Sequence, residues 1–257
     1  MDALVLDLDG TLLNSDKKVS GRNLRALKEV IKRDIPMIIA TARPPRSVKQ
    51  MLPEEIRSSA FMVYYNGALI DGKSLNIHYH FSIDSKISTD IIKYLIETEP
   101  QHCLSIEAED HWYSYQDLDF TKTMQITSNP EKITLKALKK INPTKILVSH
   151  LDSPLSLGNK LASQVTIITT DSNQLTQIMK HNISKEFAVS LLSEKLGLSL
   201  DQVVVFGDDF NDLGLFKCCG YPVAMKNAVP ELKQLAAEVT DSNDQDGVAK
   251  TLEHLLG

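Results

Sequence analysis

The chain has 257 residues, of which 42% are hydrophobic and 24% charged, and its formal net charge is −5. These values are typical of a soluble globular protein with one large domain or two of ordinary size, and the acidic balance argues against a nucleic-acid or anionic-membrane partner. No apolar run approaches the roughly 20 residues that span a bilayer, and a predicted strand at Ala3 leaves no room for a signal peptide, so we expect a cytoplasmic protein.

The first predicted element is a buried strand that ends on two acids. Val5 and Leu6 belong to an apolar run without alternation, which is typical of a central strand in a parallel sheet. Asp7 and Asp9 follow it. In open α/β sheets ligands bind beyond the carboxyl ends of strands, so acids there are placed for chemistry. A strand before an ordinary Asp-Gly turn has the same pattern, and this stretch alone favours neither interpretation.

A helix and a second strand come next. Ser20 is a candidate N-cap for a helix with an apolar face, and residues 35–40 predict a strand that ends at Thr41. Because strand, helix and strand at this spacing form a right-handed βαβ unit, we expect Thr41 beside Asp7 on one edge of the sheet. The next predicted elements are a helix over 47–52, a strand over 61–65 that ends at Asn66-Gly67, and a hairpin within 68–80.

From about Ser82, predicted strands follow one another with few helices between them. This order indicates antiparallel pairing, and we interpret 82–179 as an inserted α+β domain. The remaining residues, 1–81 and 180–257, would then form one core. The predicted elements of the insertion are a helix over 87–96, strands over 103–108, 112–115, 145–149, 165–170 and 174–179, and a short helix after Pro154.

The α/β alternation returns near Ser184. A helix over 185–196 is followed by Gly197 as its C-cap, and a strand over 202–206 ends at a second acid cluster that begins with Asp208. A strand over 221–225 and two amphipathic helices complete the chain. The three cysteines form no C-x-x-C pair and the histidines show no metal spacing, so we expect reduced thiols and no zinc site.

Four segments, in this order, resemble the haloacid dehalogenase-like superfamily of phosphohydrolases. They are Asp7-Leu8-Asp9-Gly10-Thr11, Ile39-Ala40-Thr41-Ala42-Arg43, Lys185, and Gly207-Asp208-Asp209-Phe210-Asn211-Asp212. Three further segments look like the Cof-type subgroup (subclass IIB), whose cap lies between the second and third motifs: 66–68, 224–228 and 242–249. The resemblance covers nearly the whole chain. It implies an α/β fold with a Rossmann-like parallel-sheet core and an inserted α+β cap domain that sets substrate specificity.

The resemblance also implies roles for the acids. Asp7 resembles the nucleophile, which forms an aspartyl phosphate, and Asp9 resembles the general acid that protonates the leaving oxygen. A carboxylate approaches a phosphate only if positive charge offsets their repulsion, and Mg²⁺ with oxygen ligands supplies it. The implied metal residues are Asp7 and Asp208 through their side chains, Asp9 through its backbone carbonyl, and Asp212, which orients the site or the metal's waters.

Five residues are implied to contact the substrate. Lys185 and Thr41 would hold the transferring phosphoryl group, with Asn211 and Asn66 near it. Taken alone, Lys185 is typical of a solvated cation at a helix end, and Thr41 of a helix cap. Arg43 could contact phosphate or only pair with an acid.

Two residues depart from the family pattern. Glu186 stands where glycine is common and could pair with Lys185 or crowd the helix start, which bears on phosphate affinity and not on mechanism. Lys226 replaces another glycine. Asp209 lies within the fourth motif but is expected to face solvent or to cap the following helix, and we do not place it at the metal.

These features imply a Mg²⁺-dependent phosphatase that hydrolyses a small phosphate ester, either a sugar phosphate or a phosphorylated cofactor. Two alternatives remain: a phosphosugar mutase of related fold, and a non-catalytic phosphate-binding regulatory protein. Both Asp7 and Asp9 are present, and a pure binder has no need of a general acid. Neither the pattern nor the resemblance predicts an oligomeric state.

Overall fold

A computed structural model of the protein describes residues 1–72, 75–99, 101–120, 128–149, 164–170 and 175–257. The chain divides into two compact units. The first comprises Met1–Tyr79 and Ser184–Gly257, and the second comprises His80–Ile183. The second unit is therefore inserted into the first, and the range predicted for the insertion, 82–179, lies within it.

The elements are numbered along the chain over the described residues. The strands are β1 (Ala3–Leu6), β2 (Met37–Ala40), β3 (Ala60–Tyr64), β4 (Leu69–Gly72), β5 (Ile77–His80), β6 (Cys103–Ala108), β7 (His111–Ser114), β8 (Glu131–Lys132), β9 (Lys145–Ser149), β10 (Val165–Thr170), β11 (Leu175–Lys180), β12 (Val203–Gly207), β13 (Tyr221–Ala224) and β14 (Glu238–Val239). The helices are α1 (Gly21–Lys32), α2 (Pro45–Met51), α3 (Glu54–Ser59), α4 (Ser85–Thr98), α5 (Leu135–Leu138), α6 (Lys185–Leu196), α7 (Leu213–Cys218), α8 (Pro230–Leu235) and α9 (Gly247–Leu256).

The first unit is built on a sheet whose described strands run in the order β14-β13-β12-β1-β2-β3-β4-β5. The strands from β14 to β3 are parallel, and β4 pairs with β3 in the antiparallel direction. All residues of β1, β2 and β12 are buried, as expected for central strands covered on both faces. The predicted α/β fold with a parallel-rich sheet is confirmed.

The helix ends of the first unit carry the two predicted caps, Ser20 and Gly197, and a third at Ser184. The side chain of Ser20 accepts a hydrogen bond from the N–H of Asn23 at the start of α1, and Ser184 accepts one from Phe187 at the start of α6. Gly197 ends α6 in the left-handed conformation. The short polar side chains thus satisfy N–H groups that have no partner inside the helix.

Among the helices described, none has both the length and the hydropathy to cross a membrane.

The second unit contains a sheet whose described strands run in the order β10-β11-β9-β6-β7-β8. All its neighbouring strands pair in the antiparallel direction, as predicted, except the two-residue β8, which is parallel to β7. Ile91, Ile92 and Leu95 of α4 pack against one face of this sheet, with Leu104 and Ile106 of β6 among the contacted residues. The helix predicted after Pro154 lies outside the described residues.

Sequence periodicity did not predict α3, α5 or β8. These elements have six, four and two residues. An apolar repeat needs about two helical turns, or four strand residues, before it differs from chance. Short elements of this kind are held by tertiary contacts and leave no periodic signal.

Gly67→Ala is expected to lower the free energy of unfolding by about 3 kcal/mol. Gly67 has a φ of 109°, and a Cβ there would lie 2.2 Å from the backbone oxygen of Ser184, which caps α6. Gly197→Ala is the matched control, because its φ of 67° is also left-handed but nothing lies within 4 Å of the added Cβ. The control should lose only about 1 kcal/mol. Urea unfolding measures both values, and equal losses would contradict the role of close packing at Gly67.

Candidate active site

Three carboxylates meet where β1 and β12 end. Asp7 follows β1 and Asp208 follows β12, its parallel neighbour, while Asp212 ends the 3-10 turn that comes next. One carboxylate oxygen from each residue lies within 4.8 Å of the others. Asp212 is fully buried and Asp7 is 5% exposed. Three like charges at this distance, two of them removed from water, require a positive partner.

Lys185, the first residue of α6, supplies a cation to this cluster. Its Nζ donates to Oδ1 of Asp7 at 2.5 Å and to Oδ1 of Asp212 at 2.8 Å, and its side chain has no exposed surface. Burial opposes its charge, but Asp212 and Asp7 outweigh that effect and hold the pKa of Lys185 above its usual value. Lys185 is therefore not a solvated cation at a helix end.

The acids still carry more charge than one lysine balances. Burial raises the pKa of Asp7 far above its usual range although Lys185 opposes the shift, and Asp212 and Asp208 add to the rise. Burial also raises the pKa of Asp208 to about 6, against the hydrogen bond that Thr11 donates to it at 3.0 Å. When all these groups are ionised, two negative charges remain in excess. A set of oxygen donors with this excess fits a hard divalent cation.

The backbone leaves room for the Asp208 carboxylate at Gly10. A Cβ at Gly10 would lie 2.1 Å from Oδ2 of Asp208. The glycine after Asp9 is thus required for the close approach of the two strand ends. Thr11, which donates to Asp208, was given no role by sequence reasoning, although it lies in the first motif.

The carboxylate of Asp9 lies outside this three-acid group. It accepts hydrogen bonds from Nε and Nη2 of Arg43 at 2.5 and 2.7 Å, and from Nζ of Lys17 at 2.8 Å. Burial opposes its charge, but the bonds from Arg43 and Lys17 outweigh that effect and hold the pKa of Asp9 below its usual range. Arg43 was predicted to contact either phosphate or an acidic side chain, and in the structure it pairs with an acidic side chain, that of Asp9. Lys17 was not predicted, since it lies beyond the first motif.

Three further predicted residues lie together at the ends of β2 and β3. Thr41 is buried, its hydroxyl accepts the N–H of Arg43 at 3.1 Å, and its carbonyl accepts the N–H of Asn66 at 2.9 Å. Asn211 donates to the side-chain oxygen of Asn66 at 3.1 Å. The alternative of Thr41 as a helix cap is wrong, because the N-cap of α2 is Pro44.

The two departures from the family pattern, Glu186 and Lys226, both have contacts in the structure. The carboxyl group of Glu186 lies against Gly214, where an added Cβ would be 2.1 Å from its carboxyl carbon. Lys185 bonds to Asp7 and Asp212, and the described contacts do not include the Glu186–Lys185 pair that was one of the two possibilities. The side chain of Lys226 is 65% exposed, with Nζ 4.0 Å from Asp241.

Comparison with known proteins identifies the family of hydrolases that this α/β fold and its acids at the strand ends belong to. A model of the haloacid dehalogenase-like hydrolases matches residues 4–252. The chain belongs to the haloacid dehalogenase-like hydrolase family, as its motifs predicted, and it is an enzyme.

Several similar proteins are named as phosphatases. The chain is 27% identical to the phosphatase YwpJ of Bacillus subtilis, over the whole of both chains. It is 28% identical to the 5-amino-6-(5-phospho-D-ribitylamino)uracil phosphatase YcsE of the same organism, with 98% of this chain and 94% of the relative covered.

Solved structures of this family have the same fold. A haloacid dehalogenase-like hydrolase from Bacteroides thetaiotaomicron is 25% identical, with a TM-score of 0.85 over 99% of both chains. A haloacid dehalogenase/Cof-like hydrolase from Plasmodium vivax is also 25% identical, with a TM-score of 0.81 over 100% of this chain and 95% of the other.

Proposed function

We propose that this protein is a Mg²⁺-dependent phosphatase that hydrolyses small phosphorylated metabolites through an aspartyl phosphate on Asp7. The observation that carries the proposal is the cluster of Asp7, Asp208 and Asp212, in which Lys185 contacts the buried Asp7 and Asp212. It supplies a carboxylate nucleophile, a fixed cation and an excess of negative charge that suits a divalent metal.

The metal would be held by the residues at the two strand ends. Asp7 and Asp208 offer carboxylate oxygens, Asp9 offers its backbone carbonyl, and Asp212 would orient the site or the metal's waters. When bound, Mg²⁺ supplies positive charge that offsets the repulsion between the Asp7 carboxylate and the substrate phosphate.

The residues of the chain then carry the reaction in two steps. An oxygen of Asp7 attacks phosphorus and the bond between phosphorus and the leaving oxygen breaks. Asp9, which must first take up a proton and leave its ion pair with Arg43 and Lys17, gives that oxygen its proton. Water next attacks phosphorus, Asp9 takes a proton from it, and inorganic phosphate leaves as the Asp7 carboxylate is restored. Lys185 and Thr41 hold the phosphoryl oxygens in both steps.

The inserted domain, 82–179, is proposed as the cap that selects the substrate, because the acid–lysine cluster handles only the phosphate group. Its own sheet and apolar core support an independent domain. The relative that acts on 5-amino-6-(5-phospho-D-ribitylamino)uracil favours phosphorylated cofactor precursors as one substrate class. Sugar phosphates are the other.

Removal of divalent metal is expected to lower phosphate release at least about a hundredfold, because the nucleophile and the phosphate would then repel each other. Inorganic phosphate is measured with a panel of sugar phosphates and phosphorylated cofactor precursors, in EDTA and after Mg²⁺ is restored. Since the metal would bind only the folded chain, Mg²⁺ should also raise the Tm.

Two outcomes would contradict this proposal. Equal phosphate release with and without EDTA would exclude the metal from the reaction. Conversion of one phosphate ester to its isomer, with no free phosphate, would favour the phosphosugar mutase.

A further inference from the structure

A hairpin after the first motif reaches Asp9. Residues 13–19 turn back on themselves, and Leu13 pairs with Val19 in an antiparallel bridge. Lys17 lies in the turn of this hairpin with a φ of 59°, and its Nζ is 2.8 Å from Oδ1 of Asp9. We call residues 13–19 the Lys17 hairpin. The position of this hairpin therefore determines where the Lys17 ammonium group lies relative to the Asp9 carboxylate.

The loop before α9 holds the Lys17 hairpin from the other end of the chain. The two carboxylate oxygens of Asp244 accept hydrogen bonds from the backbone N–H and the hydroxyl of Ser15, both at 2.7 Å. The side-chain amide of Asn243 donates to the carbonyl of Leu13 at 2.9 Å. Asp244 and Ser15 are 229 positions apart in the sequence. The hairpin is therefore anchored by a segment that is distant in the sequence.

Asn227 joins the same loop to the first motif. Its Nδ2 donates to the carbonyl of Gly10 at 2.7 Å, and its Oδ1 accepts the N–H of Asn243 at 3.1 Å. Asn227, Asn243 and Asp244 belong to the segments 224–228 and 242–249, for which the proposed chemistry has no use. Their contacts converge on the stretch of chain that directly follows Asp9, at Gly10 and at the Lys17 hairpin.

We propose that Asp244 is a positioning residue for Asp9: it fixes Ser15, and so holds the Lys17 hairpin where Lys17 contacts the Asp9 carboxylate. This inference rests on the role of Asp9 in the proposed function. Paired with the Lys17 cation, the Asp9 carboxylate is in the form that takes a proton from water in the second step, so its placement governs the rate of the chemical step rather than the binding of substrate. The contacts of Asp244 are exposed and contribute little to global stability.

The test uses the full chain with Mg²⁺ and the best ester of the substrate panel. Asp244→Ala is expected to lower kcat about tenfold, with KM within about twofold and Tm nearly unchanged. It should also speed hydrogen exchange at the Ser15 amide, because that amide loses its acceptor. Asp244→Asn, which keeps one acceptor oxygen, should recover part of kcat. Glu253→Ala is the matched control, since it removes an exposed carboxylate that pairs with Arg22 231 positions away, and it should change none of these quantities.

Ser15→Ala tests the contact from the other side. It should lower kcat less than Asp244→Ala, and the double variant should be no slower than Asp244→Ala, because both changes act on one contact. Wild-type kcat in Asp244→Ala would overturn the proposal, whether or not exchange at Ser15 is faster. An equal loss of kcat in Glu253→Ala would also overturn it. If the wild-type chain hydrolyses no ester of the panel, the proposed function is overturned instead. In that case the hydrogen exchange rate of the Ser15 amide still tests the anchoring role, and a wild-type rate in Asp244→Ala would overturn it.

Discussion

Asp7→Asn is expected to lower phosphate release on the order of ten-thousandfold, since the amide neither attacks phosphorus nor carries the charge that holds a metal. The free energy of unfolding should not fall. Burial raises the pKa of Asp7, so the folded chain gains nothing from its charge, and an amide of the same shape leaves Lys185 paired with Asp212. Initial rates of phosphate release and urea unfolding measure the two effects.

Asp209→Asn is the matched control for this change. Asp209 is exposed, and its side chain accepts the N–H of Phe210 as the N-cap of the 3-10 turn, which confirms its prediction as a cap. Asparagine caps equally well, so activity and stability should stay within about 0.5 kcal/mol of the wild type. Wild-type phosphate release in Asp7→Asn would exclude Asp7 as the nucleophile. A protein that releases no phosphate, and whose biological activity Asp7→Asn leaves intact, would instead be the phosphate-binding regulatory protein.

Lys185→Met is expected to lower the free energy of unfolding by about 3 kcal/mol, because it leaves Asp7 and Asp212 buried without their cation. Phosphate release should fall at least about a hundredfold, as the phosphoryl oxygens lose a fixed positive charge. Methionine keeps most of the side-chain volume, so the loss reports charge rather than a cavity. Urea unfolding measures the loss of unfolding free energy, and initial rates measure the fall in phosphate release.

The control for this prediction lies in the same helix. Lys195→Met makes the same change near the end of α6, where the lysine is exposed, and should alter stability by about 0.5 kcal/mol or less. If Lys185→Met were as stable as Lys195→Met, the buried contacts of Lys185 would not be what stabilises the acid cluster.

The position of the site could be read from the chain itself. Apolar runs that break onto Asp7 and Asp208 predict parallel strands with acids at their carboxyl ends, and adjacent strands bring such ends together. The capping residues Ser20 and Gly197 were also predicted, because each acts on backbone groups within a few residues of itself. Interactions between residues close in the sequence were enough to predict these features.

The contacts of the charged side chains could not be predicted from the sequence. Arg43 contacts Asp9 rather than standing free for phosphate, and Lys17, outside every motif, joins it. Glu186 lies against Gly214 and not against Lys185. A side-chain contact depends on how separate backbone segments are placed in space, and spacing along the chain does not contain that placement.

The sequence by itself therefore determined the α/β class, the strand ends that carry acids and the family of the enzyme. Only the tertiary structure decided that Lys185 is buried between two carboxylates, and that Asp244 reaches Ser15 across 229 positions. The reason is the range of the forces involved. Periodicity and capping act within one or two turns, whereas burial and ion pairing are set when distant segments pack together and exclude water.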